Sequence, residues 1–424
     1  MKKPELMAPA GDLISLRSAL EAGADAVYFG ITEMNMRAAA KNFEVEDLPE
    51  IASICKQYNA KAYLALNTII FDEELEKAEN LVKQAAKAGI KYVICWDFAV
   101  IEMVLKYGLQ PCLSTQMSVA NSSSLAFLYK NFGIKRFVLA RECTLEEIVS
   151  IKSSLKAKLG DEADNIEIEV FAHGAMCVSV SGRCFMSQLA FGCSANRGEC
   201  RQPCRREYVI KDIRDGKEFL IGQDYVMSPK DLCSMPFLDK VLECGVDSLK
   251  IEGRGRSHEY VKIVTECYRR FIDFYCENKG KANFEAEVKQ LKLELTSKLD
   301  SVFHRGFSDG FFFGRQIGEW SDGNGSKATM RKIHIGTVTN FFKKVCVAEI
   351  KINNRGFNTG ETLMFIGNTT GVKELEVISI EIDGKPSNTA SKGDVVGVKL
   401  NEQVRENDQV YMMVPVEDVE HLKQ

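Results

Sequence analysis

Along the first 260 residues, short apolar runs alternate with longer runs in which apolar positions recur every three or four residues. The short runs predict strands at Glu5–Ala8, Ala26–Gly30, Ala62–Asn67, Tyr92–Asp97, Pro111–Gln116, Arg136–Arg141, Ile166–His173 and Ser248–Glu252. Helices are expected between most of them, among them Leu13–Ala22, Val45–Tyr58, Glu74–Ala88, Phe98–Lys106 and Leu145–Leu155. In the second of these, Ile51, Ile54, Cys55 and Tyr58 fall on one stripe. Asp97 and Thr144 are suited to cap the helices they precede. Eight strands alternating with helices over this length predict a (β/α)8 barrel of the TIM type. A doubly wound open sheet is the alternative. It would want a glycine-rich turn after the first strand, and Ala8-Pro9-Ala10-Gly11-Asp12 is not one.

The rhythm breaks after His173, where about 75 residues precede the eighth strand. This insertion, about 174–247, includes an expected hairpin around Asp215-Gly216 and lies at the carboxyl end of the strands, where barrels of this type place function. A long helix is expected at 257–278 and another at about Phe284–Leu299, followed by an aromatic segment with Phe307, Phe311, Phe312 and Phe313. Ser321–Ser326 reads as a linker. From about His334 the pattern becomes period two, with strands at Ile335–Thr339, Val345–Ile352, Thr362–Ile366, Glu374–Ile382, Asp394–Lys399 and Gln409–Met413, which suggests a small C-terminal β-barrel. The expected division is therefore an α/β domain over 1–330 and a β domain over 331–424.

Composition narrows the class. At 424 residues the chain exceeds one typical core, and 45% apolar with 27% charged residues is the balance of a globular protein. The apolar periodicity and 24 Phe exclude disorder, and no apolar run reaches the roughly 18 residues of a membrane span. Met1-Lys2-Lys3-Pro4-Glu5 does not read as a signal peptide, so a cytoplasmic protein is expected. A net charge of −4 argues against indiscriminate nucleic-acid binding and confines any RNA contact to local basic patches.

Cysteine is the outlier. There are 14, five of them between Cys177 and Cys204 with Cys233 following. The others (Cys55, Cys95, Cys112, Cys143, Cys244, Cys267, Cys276 and Cys346) read as small core residues. In a reducing compartment a thiol cluster points to soft-metal chemistry rather than to disulfides. Zinc and an iron–sulfur cluster both suit four thiolates, and the wide, irregular spacing favours the cluster. Spacing alone does not choose four ligands from the six candidates Cys177, Cys184, Cys193, Cys200, Cys204 and Cys233.

The run from Glu169 through His173, Cys177 and Cys184 to Ser187 resembles the signature of the collagenase-like peptidases of unclassified catalytic type, peptidase family U32. Met7-Ala8-Pro9-Ala10-Gly11 and Lys250-Ile251-Glu252-Gly253-Arg254 resemble it too, and the resemblance covers nearly the whole chain. Within that family the chain is most similar to the bacterial tRNA hydroxylation proteins. The resemblance implies formation of 5-hydroxyuridine at the wobble position of the anticodon, an oxygen-sensitive [4Fe-4S] cluster, and dependence on prephenate but not on dioxygen. By motif it implies Cys177, Cys184, Cys200 and Cys233 as ligands, with Cys204 the main rival and Cys193 the weakest. tRNA is then the implied partner, and an electron-transfer partner is compatible with this chemistry.

Proteolysis finds little support. No H-E-x-x-H or G-x-S-x-G occurs, and of five His only His173 is expected near reactive groups, where it could pair with Cys177. A non-catalytic RNA-binding or assembly protein with structural zinc is a further alternative. The residues expected to act at strand ends are His173, Glu169 and Glu252, against the plain alternatives of a capped loop histidine and ordinary ion pairs. Arg37, Arg141 and Arg254 are expected to grip an anionic cosubstrate through their planar forks. The basic residues Arg201, Arg205, Arg206, Lys327, Arg331, Lys332 and His334, with Phe341-Phe342-Lys343-Lys344, are candidates for RNA contact, although a solvated charged face is the plainer reading.

Overall fold

In the computed structural model, which describes residues 2–220, 227–314, 319–323 and 325–421, the eight expected strands pair in parallel and close into a ring. They are β1 (Glu5–Pro9), β2 (Ala26–Phe29), β3 (Lys61–Ala65), β4 (Tyr92–Cys95), β5 (Gln110–Leu113), β6 (Arg136–Val138), β7 (Glu167–Gly174) and, after three strands of the insertion, β11 (Ser248–Ile251). β11 pairs with both β7 and β1 and completes the barrel. Six helices alternate with the first seven strands: α1 (Leu13–Glu21), α2 (Leu48–Gln57), α3 (Leu75–Ala88), α4 (Phe98–Lys106), α5 (Ser122–Phe132) and α6 (Leu145–Leu159). Their starts are written locally. Asp12 accepts from the Ser15 amide, Asp97 from Ala99 and Val100, and Thr144 forms a capping box with Glu147.

The amino-terminal end of the barrel interior is polar. Arg136 pairs with Glu5 (2.6 Å) and Glu169 (2.8 Å), and Lys250 with Glu169 (2.9 Å), with Tyr63 against the same guanidinium. Glu169 is fully buried, so each charge there depends on its partners for compensation.

The insertion carries α7 (Met186–Phe191), the expected hairpin as β8 (Val209–Lys211) and β9 (Glu218–Leu220), then β10 (Asp231–Cys233) and α8 (Leu238–Glu243). No strand is among the sequence expectations at β10. It runs antiparallel to the end of β7, placing Cys233 opposite His173, and β12 (Phe307–Ser308) continues the sheet. β7 itself carries a bulge. Lys250 lies opposite Phe171 but Ile251 lies opposite His173, so Ala172 is an extra residue in that ladder.

α9 (His258–Asn278) and α10 (Phe284–Asp300) cover the barrel before the chain enters an antiparallel sheet. That sheet is assembled from β13 (Met330–Phe342), β14 (Val347–Ile352), β16 (Thr362–Gly367), β17 (Gly371–Glu376), β18 (Ser379–Ile382), β19 (Lys385–Ser387), β21 (Val395–Lys399) and β22 (Gln409–Pro415), with β15 (Phe357–Asn358) and β20 (Thr389–Ala390) as a separate pair and α11 (Val416–His421) closing the fold. It holds its own core and docks on α1 through Met364, Ile366 and Val372 against Ile14. Of the expected linker, residue 324 lies outside the described residues. Six of the eight scattered cysteines are buried as expected, whereas Cys276 and Cys346 are partly exposed. Among the described residues, no helix is long and apolar enough to cross a membrane.

Candidate functional site

A cavity of about 700 Å³ opens at the carboxyl end of the barrel strands. Glu252, immediately after β11, lies in its wall. One carboxylate oxygen accepts from Arg37 (Nη2 3.0 Å, Nε 3.3 Å) and the other from the Tyr28 hydroxyl (3.1 Å). Burial pushes this carboxyl up, but the charges of Arg37, Arg141 and Arg254 outweigh it and hold Glu252 at about 2. It is ionised at any working pH and acts as the counter-charge of three arginines.

The arginines are held in place by local backbone. Arg254 gives Nη2 to Asn35 Oδ1 (2.8 Å), and burial lowers it to about 10. Asn35, in the loop after β2, also accepts from the Arg37 amide (2.9 Å). Gly30 makes this packing possible, because a Cβ there would collide with Arg254 and Asn35. Arg141 lies 4.1 Å over the Phe171 ring and donates to the Ala175 carbonyl (3.0 Å). Two buried donors, Nη1 of Arg254 and Nε of Arg141, have no hydrogen-bond partner among the described residues. Each such donor carries a desolvation cost, because burial removes it from water without replacing the lost hydrogen bond. The lining has nine Lys and Arg side chains, against the carboxylates of Asp12 and Glu252 alone. Asn67, Ser114 and Gln116 supply neutral hydrogen-bonding groups to the same cavity.

Four thiols share this space. Cys177, Cys184, Cys200 and Cys204 all line the cavity. Burial pushes the Cys204 thiol up, and the neighbouring Cys177, Cys200 and Cys184 add to that while Arg205 opposes it. Gly198, in the same segment, has a positive φ of 89° and packs against the Asn35 carbonyl and the Ala38 amide, where a Cβ would not fit. Cys193 points elsewhere, to the Glu199 carbonyl (3.4 Å). Among the described residues, no three His, Cys, Asp or Glu are placed to hold a single metal ion. A tetrahedral zinc would need its sulfurs about 3.8 Å apart, from Zn–S bonds of about 2.3 Å. A four-iron cluster bonds each thiolate to a different iron and takes an all-thiolate set spread more widely. The four cavity thiols supply the number and type of donors that a four-iron cluster takes.

The structure places three of the expected residues away from the cavity. Cys233 is not with the other thiols. It is buried behind β7, interacts with Tyr268, and burial pushes it up to about 12. Glu169 is not at the catalytic end but within the interior ion network. His173 does not line the cavity either. The bulge at Ala172 reverses the side-chain alternation after Phe171, turning His173 outward among Tyr260, Tyr268 and Phe307, with Nδ1 3.4 Å from the Tyr268 hydroxyl. By contrast Glu252, Arg37, Arg141 and Arg254 all reach the cavity, as do Arg205 and Lys332 of the basic residues considered for RNA. Arg206 stacks over the exposed Phe191 (4.3 Å), and Phe342, Lys343 and Lys344 are exposed. Asn35 was not anticipated, since an Asn between Met34 and Met36 carries no periodic signal. Arg256 and Arg305 were missed as well, although the Gly-Arg repeat from Gly253 to Arg256 marks the first.

Burial, assisted by His304 and Arg256, lowers His173 to about 3. The unfolded chain, near 6.5, binds the proton first, so stability is complete above about pH 6.5 and falls as pH drops toward 3, by at most about 1.4 kcal/mol per unit. The melting temperature of the native protein is expected to fall more steeply between pH 6.5 and 4.5 than that of His173→Phe. Equal slopes would mean that His173 is not held neutral in its aromatic surroundings.

Comparison with known proteins follows the same outline. The model of peptidase family U32 matches residues 11–322. A Porphyromonas gingivalis protein named collagenase is 39% identical over 410 residues, which is 96% of this chain and 97% of that protein. The Bacillus subtilis tRNA hydroxylation protein P1 is 34% identical over 422 residues, covering 92% of this chain and 95% of that protein. The Escherichia coli 23S rRNA 5-hydroxycytidine C2501 synthase is 34% identical over 312 residues, covering 74% of this chain and 46% of that protein.

Proposed function

This chain belongs to peptidase family U32, and within that family we propose that it is an RNA hydroxylase: an iron–sulfur-dependent enzyme that forms 5-hydroxyuridine at the wobble position of tRNA, using prephenate rather than dioxygen. The observation that carries this reading is the juxtaposition in one cavity of four thiols with an arginine-rich wall. Two RNA-hydroxylating relatives, one named for tRNA and one for 23S rRNA, support the RNA substrate class.

Cys177, Cys184, Cys200 and Cys204 would hold the [4Fe-4S] cluster, which supplies one-electron chemistry when bound. Arg254 and Arg141 line the cavity and offer positive charge to the carboxylates of the cosubstrate, and Glu252 keeps the Arg37 fork fixed beside them. Asn67, Ser114 and Gln116 offer donors and acceptors to the edge of a base. The depth of the cavity requires that base to leave its stack, which costs least in an unpaired loop. The expected Cys177–His173 pair of the peptidase reading does not form, because His173 is turned away from the cavity that Cys177 lines.

The test is mass spectrometry of nucleosides from RNA of a strain lacking this gene and any related hydroxylase. 5-Hydroxyuridine is expected to vanish and to return with the native gene. Arg254→Gln is expected to restore it at a rate about ten- to a hundredfold lower, because a charge-assisted hydrogen bond of about 1.5–3 kcal/mol is lost. Unchanged 5-hydroxyuridine in the deletion strain, or cleavage of gelatin by the purified protein, would overturn the reading.

A further inference from the structure

A second group of arginines borders the thiols. Asp231, nearly buried on β10, accepts from Arg305 (3.2 Å) and Arg256 (3.5 Å). Both guanidiniums lie over the same ring, that of Phe303, at 3.8 Å for Arg256 and 5.0 Å for Arg305. Arg205 joins them from the residue after Cys204. It is anchored by Nη1 to Ser228 Oγ (2.7 Å) and by Nη2 to the Met176 carbonyl (2.7 Å). All three line the cavity. Among the described residues, Asp231 is the one carboxylate at salt-bridge distance from Arg256 and Arg305, and none lies that close to Arg205, so positive charge is in excess at this corner. Each arginine has five N–H donors, and Arg256 and Arg305 each give one nitrogen to Asp231, so both forks keep further donors. The Phe303 ring and the backbone anchors hold the forks rigid before any ligand arrives, which lowers the ordering cost of binding.

We propose that Arg205, Arg256 and Arg305 form a phosphate-binding subsite, separate from the Glu252 group, that grips a backbone phosphate beside the nucleotide whose base enters the cavity. The phosphate chemistry follows from the cluster itself, and its assignment to an RNA backbone rests on the proposed function. Two anions are thus held in one chamber, the small cosubstrate by Arg37, Arg141 and Arg254, and the polymer by the second set. Planar forks grip tetrahedral phosphate oxygens in pairs, and a rigid set of three defines where the adjoining nucleotide lies.

The test uses the full chain and inorganic phosphate as probe, at ionic strength matched with chloride. The native protein is expected to melt several degrees higher in phosphate. Arg305→Gln is expected to lose more than half of that gain, and Asp231→Asn, which removes the competing carboxylate, to enlarge it. A purely structural role for the cluster would lower stability in both variants without these opposite changes in phosphate response. If Arg305→Gln fails to fold, Arg305→Lys, which keeps the charge and loses the fork, serves in its place with a smaller loss. In parallel, the affinity for a tRNA anticodon stem-loop is measured against salt, where Arg305→Gln is expected to reduce the slope of log K on log salt by about 0.7–0.9, the value of one phosphate contact. An unchanged phosphate response in Arg305→Gln overturns the subsite. A lost phosphate response with an unchanged RNA slope overturns its assignment to the backbone. A lost phosphate response in a protein that binds no RNA leaves the subsite standing and refutes the RNA reading instead.

Discussion

Glu169→Ala is expected to destabilise the fold by about 3–5 kcal/mol, the loss typical when one partner of a buried ion pair is removed. The carboxylate is fully buried and accepts from Arg136 Nε (2.9 Å) and Lys250 (2.9 Å). Without it, Lys250 keeps no carboxylate at salt-bridge distance among the described residues, and Arg136 keeps only Glu5 and Glu167. Low dielectric inside the barrel magnifies each uncompensated charge. Desolvation raises the Glu169 carboxyl, yet Lys250 and Arg136 more than offset this and leave it below its ordinary value. Urea unfolding followed by circular dichroism measures the loss, with an unchanged m-value showing that two-state behaviour survives. A stability change under 1 kcal/mol together with abolished hydroxylation would restore Glu169 to a catalytic role and refute the structural one.

Cys204→Ala is expected to abolish stable iron binding, whereas Cys233→Ala is expected to leave it intact. After anaerobic purification the native protein should carry about four iron per chain, the complement of a [4Fe-4S] cluster held by four thiolates. Cys204 shares the cavity with Cys177, Cys184 and Cys200 and is coupled to all three electrostatically. Cys233 lies behind the barrel wall with a thiol pushed up to about 12, which disfavours the thiolate a metal requires. Its removal should cost about 1 kcal/mol of packing and little else. Full iron in Cys204→Ala with none in Cys233→Ala would reverse the assignment and require β10 to detach from β7 when the cluster binds. Iron and sulfide analysis with the visible spectrum decides between them.

The barrel was legible because its signal is repeated. Eight apolar runs spaced by amphipathic helices leave little choice of architecture, and Asp97 and Thr144 mark helix starts by side-chain chemistry alone. The arginine set was legible for the same reason: residues just past strand ends gather at one face, and Arg37, Arg141, Glu252 and Arg254 do so. What failed was parity. Strict alternation along β7 carries Glu169 and Phe171 inward and would carry His173 with them, and no residue type announces the bulge at Ala172 that reverses it. The strand that carries Cys233 had no sequence signal either, because its partner lies about 60 residues earlier in the chain. Asp231 and Arg305 are 74 residues apart and meet only through β10 and β12. Long-range pairing of short strands has no local signature.

The contact between Gly198 and the loop after β2 has a mechanical consequence. The segment that bears the thiols and the loop that aims the arginines touch backbone to backbone, with Ala39 donating to the Gly198 carbonyl (3.2 Å) and no room for even one methyl group between Gly198 and Asn35. Asn35 in turn holds Arg254 and the Arg37 amide. Backbone contacts of this kind transmit force with almost no slack, because packed interiors scarcely compress. The two halves of the chamber are therefore mechanically joined at this contact, and a shift in the thiol-bearing segment is expected to be felt at the arginine donors.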